Sequence, residues 1–362
     1  MKICFLSAGT FTHIQPYIDY FRAEGHEVHF IALSPSPERN VPVHNAWTGK
    51  EYDVKTNKYK YKYIIAAFKA KKIIKKLRPD IIHAHYVTSG GLAAYIIHHP
   101  GTVVTAHGSD INTSVKSCVW RVLLKRILGR ASAVNVVSGE LYDKVLQLGI
   151  SDKKVYNINV GINYDLFREH HAAHTVPYVL RMVCNRRFEP VYDHMTILKA
   201  LVVLQQNQVP FEMSFIGGGP FQQAALDFVN THNLNSQVTF YGQVENTAQL
   251  SVFEKCSVYL SSSRSDGTSL SLLEAMAAGL FPVVTDIVAN KAILAHERSA
   301  LLFPVGDAEK LAEQLIYLRD EFFEKVPGIL VQNQEYVVVE GNRRINMQKL
   351  EKIYTKIALL ND

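Results

Sequence analysis

Ten short apolar runs, each the length of a single β-strand, alternate along the chain with amphipathic stretches of helical spacing. The runs are "KICFLSA", "EVHFIAL", "DIIHAHY", "TVVTAHG" and "AVNVVSG" in the first half. "VLRMVCN", "FEMSFIG", "QVTFYG", "SVYLSSS" and "FPVVTD" follow in the second. Between them lie stretches such as Val119 to Leu128, Leu141 to Leu148, Met195 to Gln205 and Lys310 to Leu318. Strand and helix in alternation imply parallel sheets covered by helices on both faces, and ten or more strands are too many for one doubly wound sheet. A barrel of eight βα units is the rival on length. The polar segment "REHHAAHTVPY", residues 168 to 178, breaks the rhythm in mid-chain, and there are two separate glycine-rich turns. Both favour two domains, about 1–168 and 178–330. Residues 331–362 form a C-terminal helical segment with apolar positions Met347, Leu350, Ile353, Tyr354 and Ile357, a face that must pack somewhere.

Composition narrows the class. With 48% hydrophobic and 20% charged residues among 362, the chain is globular, and no apolar run approaches the roughly 18 residues of a membrane-spanning helix. The opening "MKICFLSAG" reads as a buried strand rather than a signal peptide, so a cytoplasmic location is expected. Cys4, Cys118, Cys184 and Cys256 lack zinc-site spacing and suit reduced, buried thiols. The net charge of +6 is uneven: residues 50 to 78 hold eleven lysine and arginine residues against Glu51 and Asp53 alone.

Chemistry gathers at strand ends. "SFIGGGP" is a strand followed by the turn Gly217, Gly218 and Gly219, which suits either anion binding by bare backbone amides or a tight βα turn. "SDGTSLSLLEAMAAG" leaves a strand, turns at Gly267 and enters a helix whose Thr268, Ser269 and Ser271 leave amides and hydroxyls for phosphate. Asp266 there is either functional or a helix N-cap. Glu274 interrupts an otherwise apolar helix, and a carboxylate in such a place needs partners. Arg186 and Arg187 follow a strand at its carboxyl end, where a guanidinium clamps a diphosphate or simply sits in a solvated loop. His107, Ser109 and Asp110 follow another strand, and a lone His107 is as well explained as a structural histidine. His83 and His85 share a strand face, but no third ligand has suitable spacing for a metal.

In this order and spacing, the motifs resemble the family 4 glycosyltransferases, retaining enzymes with the two-Rossmann-domain GT-B fold. The resemblance spans nearly the whole chain through "HIQPYIDYFRAEGHEVHFIAL", "DIIHAHY", "VVTAHGSD", "GRASAVNVVS", "VGINYDLF", "NRRFEP", "IGGGP", "DGTSLSLLEAMAAGLFPVVTD" and "LLFPVGDAEKLAEQL". It implies an α/β chain with two doubly wound Rossmann-like domains facing a central cleft and a C-terminal helix returning to the N-terminal domain. The first domain would bind the acceptor and the second the nucleotide-sugar donor. Catalysis would fall to His107, Arg186 and Asp266, with His107 beside the donor sugar and Arg186 on the phosphates. Glu274 would bind the ribose hydroxyls, Asp266 would face the donor sugar, and the amides around Gly267, Thr268, Ser269, Leu270 and Ser271 would hold the diphosphate. Gly9 would approach the phosphates, Val244 would offer its backbone to the base, Arg187 and the Gly217 to Gly219 turn would complete the donor site, and His13, Ser109 and Asp110 would lie on the acceptor side.

Three positions depart from the family pattern. Asp266 stands where Glu is usual, the lysine expected shortly after Arg186 is absent with Arg187 as a substitute, and Ala300 replaces a usual glycine. The implied reaction is metal-independent and needs no cofactor beyond the nucleotide diphosphate sugar. It moves a sugar to a glycan or lipid-linked acceptor in cell-envelope polysaccharide assembly. The alternatives are a GT-B nucleotide-sugar epimerase, which would turn over donor without acceptor, and a non-catalytic nucleotide-sugar-binding partner protein. An NAD-dependent dehydrogenase is disfavoured because "SAGTFTH" lacks the G-x-G-x-x-G pattern. Residues 50–78, rich in lysine with Tyr59, Tyr61, Tyr63, Ile64, Ile65, Phe68, Ile73, Ile74 and Leu77 interleaved, suit a helix lying on an anionic membrane. An ordinary helix packed on the sheet is the alternative there, and no motif supports nucleic acid.

Overall fold

The computed structural model describes residues 1–8, 13–35, 41–47, 61–168 and 179–361. Two compact units form: Met1–Val160 with Arg344–Asp362, and Gly161–Arg343.

The first unit holds β1 (Lys2–Ser7), β2 (Glu27–Ala32), β3 (Val43–Asn45), β4 (Ile81–His85), β5 (Thr102–Ala106), β6 (Ala133–Val136) and β7 (Val155–Asn157). Among the described residues they make a parallel sheet in the order β3-β2-β1-β4-β5-β6-β7. One face is covered by the helices Tyr61–Leu77, Leu92–Ile97, Cys118–Arg130 and Gly139–Gln147, whose apolar sides share a core with Cys4, Ile82 and Val104. The other face is covered by Gln15–Ala23 and by Arg343–Leu359, which buries Met347, Leu350, Ile353, Tyr354 and Ile357 against Ile3, Phe5 and Ile81. The C-terminal helix therefore completes the first unit.

The second unit holds β8 (Leu180–Cys184), β9 (Phe211–Ile216), β10 (Val238–Gly242), β11 (Val258–Ser261), β12 (Phe281–Thr285) and β13 (Leu301–Phe303), all parallel, in the order β10-β9-β8-β11-β12-β13. Its two faces carry separate apolar cores, one around Leu198, Leu201 and Leu311 and one around Leu272, Met276 and Tyr259. Both sheets are thus doubly wound.

The ten sequence-expected strands are β1, β2, β4, β5, β6, β8, β9, β10, β11 and β12. The three-residue strands β3, β7 and β13 escaped because so short a run carries no periodicity. The division between units falls at Val160/Gly161 rather than at 168. Helix Tyr164–Arg168 belongs to the second unit because Phe167 is buried with Leu272 and Leu273. The segment 331–362 is likewise split, since Val337 packs in the second core before the chain returns at Arg344. At the crossing, Ile162 pairs with Asn342, and Arg343 N donates to Ile162 O at 2.9 Å. A Cβ on Gly161, which has φ +65°, would lie 2.6 Å from Arg343 N, so only glycine lets the two passing strands approach. The expected linker, residues 169–178, lies outside the described residues. Cys4, Cys184 and Cys256 are buried as expected, but Cys118 is exposed, because it opens a helix on its outer face.

Candidate active site

Each sheet reverses its strand order once, between β1 and β4 in the first and between β8 and β11 in the second. Chain leaving adjacent strands toward opposite sides opens a crevice at their carboxyl ends, where doubly wound sheets hold ligands. His107 falls at the first of these places, and Arg186, Asp266, Ser269 and Glu274 at the second.

In the second unit, Arg186 leaves β8 and the loop from Ser262 to Ser269 leaves β11. Arg186 is 7% exposed. One terminal nitrogen pairs with Asp266 Oδ2 at 2.5 Å and the other donates to Ser269 Oγ at 2.9 Å. The guanidinium lies 3.9 Å from the ring centre of Tyr192. Burial opposes its charge most strongly, but Asp266 together with the smaller contributions of Tyr259, Tyr192 and Cys184 outweighs it, holding the pKa above the ordinary value. The Tyr192 segment is itself tied to the end of β11, since Ser262 Oγ lies 2.9 Å from the carbonyls of both Tyr192 and Asp193.

Helix Leu270–Ala277 starts at the same place. Its N-cap is Ser269, whose hydroxyl accepts from Leu272 N at 3.3 Å. Asp266 is therefore not the cap: it pairs with Arg186, and its Oδ1 accepts from Gly267 N at 2.9 Å. One turn into the helix, Glu274 Oε2 accepts from Asn185 Nδ2 and Gln249 Nε2, each at 3.0 Å. Burial pushes this carboxyl's pKa up, opposed by the bond from Gln249, the charge of Arg343 and the bond from Asn185. Ser271 Oγ donates to Asn185 O at 3.2 Å, fastening helix to loop, and Leu270 packs against the core below. Val244, just beyond β10, packs on the same core.

The glycine turn has a mechanical explanation. A Cβ on Gly217 would lie 2.7 Å from Arg186 O, and one on Gly219 would lie 2.5 Å from Phe188 O, both at positive φ. These two glycines let the β9 turn press against the loop that carries Arg186, while Gly218 meets nothing closer than 3.8 Å. Arg187 is largely exposed and pairs with Glu189 at 3.5 Å, apart from the Arg186 cluster. Tyr192, Asn185 and Gln249 complete the site without having been selected from sequence; Asn185 stood inside "NRRFEP", whereas nothing marked the other two.

In the first unit the corresponding place is built from imidazoles. His85 ends β4 and His107 follows β5, with His85 Nδ1 3.0 Å from His107 Nε2. Tyr86, held at φ +64°, stacks on His107 with centroids 4.3 Å apart, and the His13 ring lies 6.4 Å from that of His107. Backbone strain of that kind at a non-glycine residue persists only where surroundings enforce it. A Cβ on Gly90 would lie 2.3 Å from His85 O, so the turn after β4 is pressed onto the strand end. Behind His85, His83 bonds Thr105 Oγ1 at 2.6 Å and the hydroxyl of Tyr354. Burial pushes His83 and His107 down to about 3, and His85 well below the usual imidazole value. All three are neutral near pH 7.

Asp110, expected on the acceptor side, has another task. It is buried, and its carboxylate accepts from the backbone amides of His107, Gly108 and Ile111 and, at 2.7 Å, Val87. It fastens the His107 turn to the segment after β4. Ser109 is exposed at the first turn of helix Ser109–Ser114. Gly9 lies outside the described residues. Among the described residues no group of three or more His, Cys, Asp or Glu is arranged to hold a metal ion.

Two doubly wound parallel sheets, each with its candidate site at the reversal of strand order, define a GT-B protein. The protein from Anabaena described as Alr3699/HepE, solved in complex with UDP, matches the fold with a TM-score of 0.74 at 17% identity, covering 98% of this chain and all of that one. A family model described as Glycosyltransferase Family 4 matches residues 8–166, and one described as Glycosyl transferases group 1 matches residues 168–324. The chain belongs to the family 4, group 1 glycosyltransferases, and is a transferase. It is similar to N-acetyl-alpha-D-glucosaminyl L-malate synthase of Bacillus anthracis, 24% identical over 91% of this chain and 89% of that protein. It is also similar to a phosphatidyl-myo-inositol mannosyltransferase of Mycolicibacterium smegmatis, 22% identical over 86% and 81%.

Proposed function

We propose that the chain is a retaining, metal-independent transferase that moves a sugar from a nucleotide diphosphate donor to a glycan or lipid-linked acceptor in cell-envelope polysaccharide assembly. The observation that carries this is the second-unit cluster. A buried guanidinium, a helix N-terminus and a carboxylate bonded only by side-chain amides meet at one reversal of strand order. The diphosphate takes the first two, since anions favour helix N-termini and guanidinium forks. Glu274 takes the ribose hydroxyls. As the bond from the anomeric carbon to the diphosphate oxygen breaks, Arg186 and the helix N-terminus stabilise the negative charge that develops there. The acceptor oxygen bonds to that carbon on the same face, and its proton passes to the departing phosphate oxygen. Screening nucleotide sugars for thermal stabilisation, then assaying hits with and without acceptor, tests this reading. Stabilisation by at least one donor and acceptor-dependent turnover are expected. Donor turnover that ignores acceptor, or no nucleotide binding at all, contradicts it.

The same proposal has the first unit lie on an anionic membrane. Of residues 50–78, those up to 60 lie outside the described residues, and the rest form helix Tyr61–Leu77. This helix divides its apolar residues. Ala66, Ala67, Ala70 and Ile74 pack on the sheet, whereas Ile64, Ile65 and Phe68, the last 56% exposed, face outward with Lys69, Lys72, Lys75 and Lys76. Helix Cys118–Arg130, on the same side of the sheet, turns out Val119 at 78% exposure with Val122, Arg121, Lys125 and Arg126. Neither helix contains an acidic residue. Exposed apolar side chains ringed by cations match the boundary of an anionic bilayer. No helix among the described residues is long and apolar enough to cross one. Vesicle sedimentation should show binding that rises with anionic lipid content and is lost at high salt. Binding indifferent to lipid charge contradicts it.

A further inference from the structure

Building on the reading of His107 as the imidazole beside the donor sugar, we propose that His85 is a positioning residue that holds His107 as its Nδ1–H tautomer, making His107 a neutral hydrogen-bond donor to the ligand rather than a base. His85 Nδ1 and His107 Nε2 are 3.0 Å apart, so one nitrogen donates and the other accepts. Two neutral rings each carry one proton, and burial keeps both neutral. The direction follows from the far side of His85. Its Nε2 is buried with no partner among the described residues. A proton there would strand a buried N–H, which folded proteins rarely tolerate; a proton on Nδ1 leaves only an unpaired lone pair. His85 Nδ1–H therefore donates to His107 Nε2, and the proton of His107 sits on Nδ1. The ring that a neighbour's hydrogen bond fixes in one tautomer is also fixed in orientation. Tyr86 stacked at 4.3 Å and Asp110 on the backbone amide of His107 hold the same pose. Occupied by the bond from His85, Nε2 has no lone pair left to take a proton from an acceptor hydroxyl.

The chain of imidazoles stops at His85. His83 approaches it only ring to ring, with centroids 4.2 Å apart, and spends its nitrogens on Thr105 and Tyr354.

Long-range proton–nitrogen NMR correlations on protein labelled with 15N-histidine test this at pH 7, with His107 assigned by the signals missing from a His107→Gln variant. The expected result is one His107 tautomer, protonated on Nδ1. His85→Phe keeps the ring volume without the donor and should give a tautomer mixture. His85→Asn returns a donor near the same place and should restore the single form. Tyr354→Phe should leave the His107 signals unmoved. With an active donor and acceptor, His85→Phe should lower kcat on the order of tenfold or more, since a wrong tautomer misaligns the ring rather than removing binding surface, and leave donor KM within about twofold. A wild-type His107 protonated on Nε2, or an unchanged tautomer in His85→Phe, overturns the proposal. Should His85→Phe fail to fold, the wild-type spectrum and His85→Asn decide it. Absence of transfer activity would count against the proposed function while leaving the tautomer result standing.

Discussion

The two candidate sites occupy equivalent places in two similar sheets and are built from opposite materials. In the second unit the site is ionic: Arg186 and Asp266 pair at 2.5 Å, a helix N-terminus points at them and Glu274 is supplied with amide donors. In the first it is neutral, since His85 is buried, His107 is half-buried, and the two are bonded to one another and held well below the usual imidazole pKa. A charge-bearing ligand fragment suits the second place and a neutral, hydroxyl-bearing one suits the first. One topology thus offers two chemistries, and the difference lies entirely in which side chains follow the strand ends.

The largest expected effects lie on the ionic side. Glu274→Gln and Arg186→Ala should each reduce transfer by on the order of 10²-fold or more with the fold intact, because each removes a charged contact to the donor. Near-normal turnover at saturating donor would erase the distinction between the sites. Next comes Asp266. Because it neutralises a buried guanidinium, Asp266→Ala should lower unfolding stability by about 3 kcal/mol in addition to impairing donor binding, whereas Asp266→Glu should be tolerated. Denaturant unfolding with donor titration separates the two effects, and an Ala variant of unchanged stability would show that the pair is not formed.

Acid should discriminate the units as wholes. Below about pH 6.5 the unfolded chain takes up protons that His83 and His107 refuse in the folded first unit until about pH 3, so their contribution is complete above pH 6.5 and is lost as pH falls through that window. Each such histidine removes about 1.4 kcal/mol per pH unit there. The second unit has His194, pushed down to about 4, and its Glu274, with a raised pKa, works in the opposite direction. Hydrogen exchange, corrected for its intrinsic pH dependence, should accelerate between pH 7 and 5 more in β4 and β5 than in β8 and β11. Equal acceleration would contradict the assignment of neutral buried imidazoles to the first site. The smallest effect is expected from Tyr354→Phe, which removes the hydroxyl bonded to His83 and should lower stability by about 1 kcal/mol without altering transfer.

Much of this was legible in the sequence, for physical reasons that differ by residue. Strands of a parallel sheet buried on both faces read as continuous apolar runs, so β1, β4 and β11 stood out, and the apolar spacing from Met347 to Ile357 announced a packed helix. Glu274 was conspicuous because a carboxylate inside an apolar helix is improbable without a task. Partnerships were not legible. The pairing of Arg186 with Asp266 joins residues 80 positions apart, and Tyr192, which stacks on that arginine, carries no signal of its own. Asp110 showed the converse: the motif "HGSD" marked it for the acceptor side, but one of its backbone bonds comes from Val87, whose approach no local pattern encodes. The unit boundary was misplaced for the same reason, since the burial of Phe167 beneath Leu272 is a tertiary fact.

The central claim is that the second unit holds the nucleoside diphosphate of a donor sugar through Arg186, the helix N-terminus and Glu274. Calorimetric titration of UDP, GDP, ADP, CDP and dTDP into the wild-type chain and into Glu274→Gln tests it most directly. Binding of at least one by the wild type, weakened on the order of tenfold or more in the variant, is the predicted result, because a ribose hydroxyl bonded to a carboxylate contributes more than a neutral pair. Affinity unchanged by Glu274→Gln, or no binding of any of the five, would contradict it.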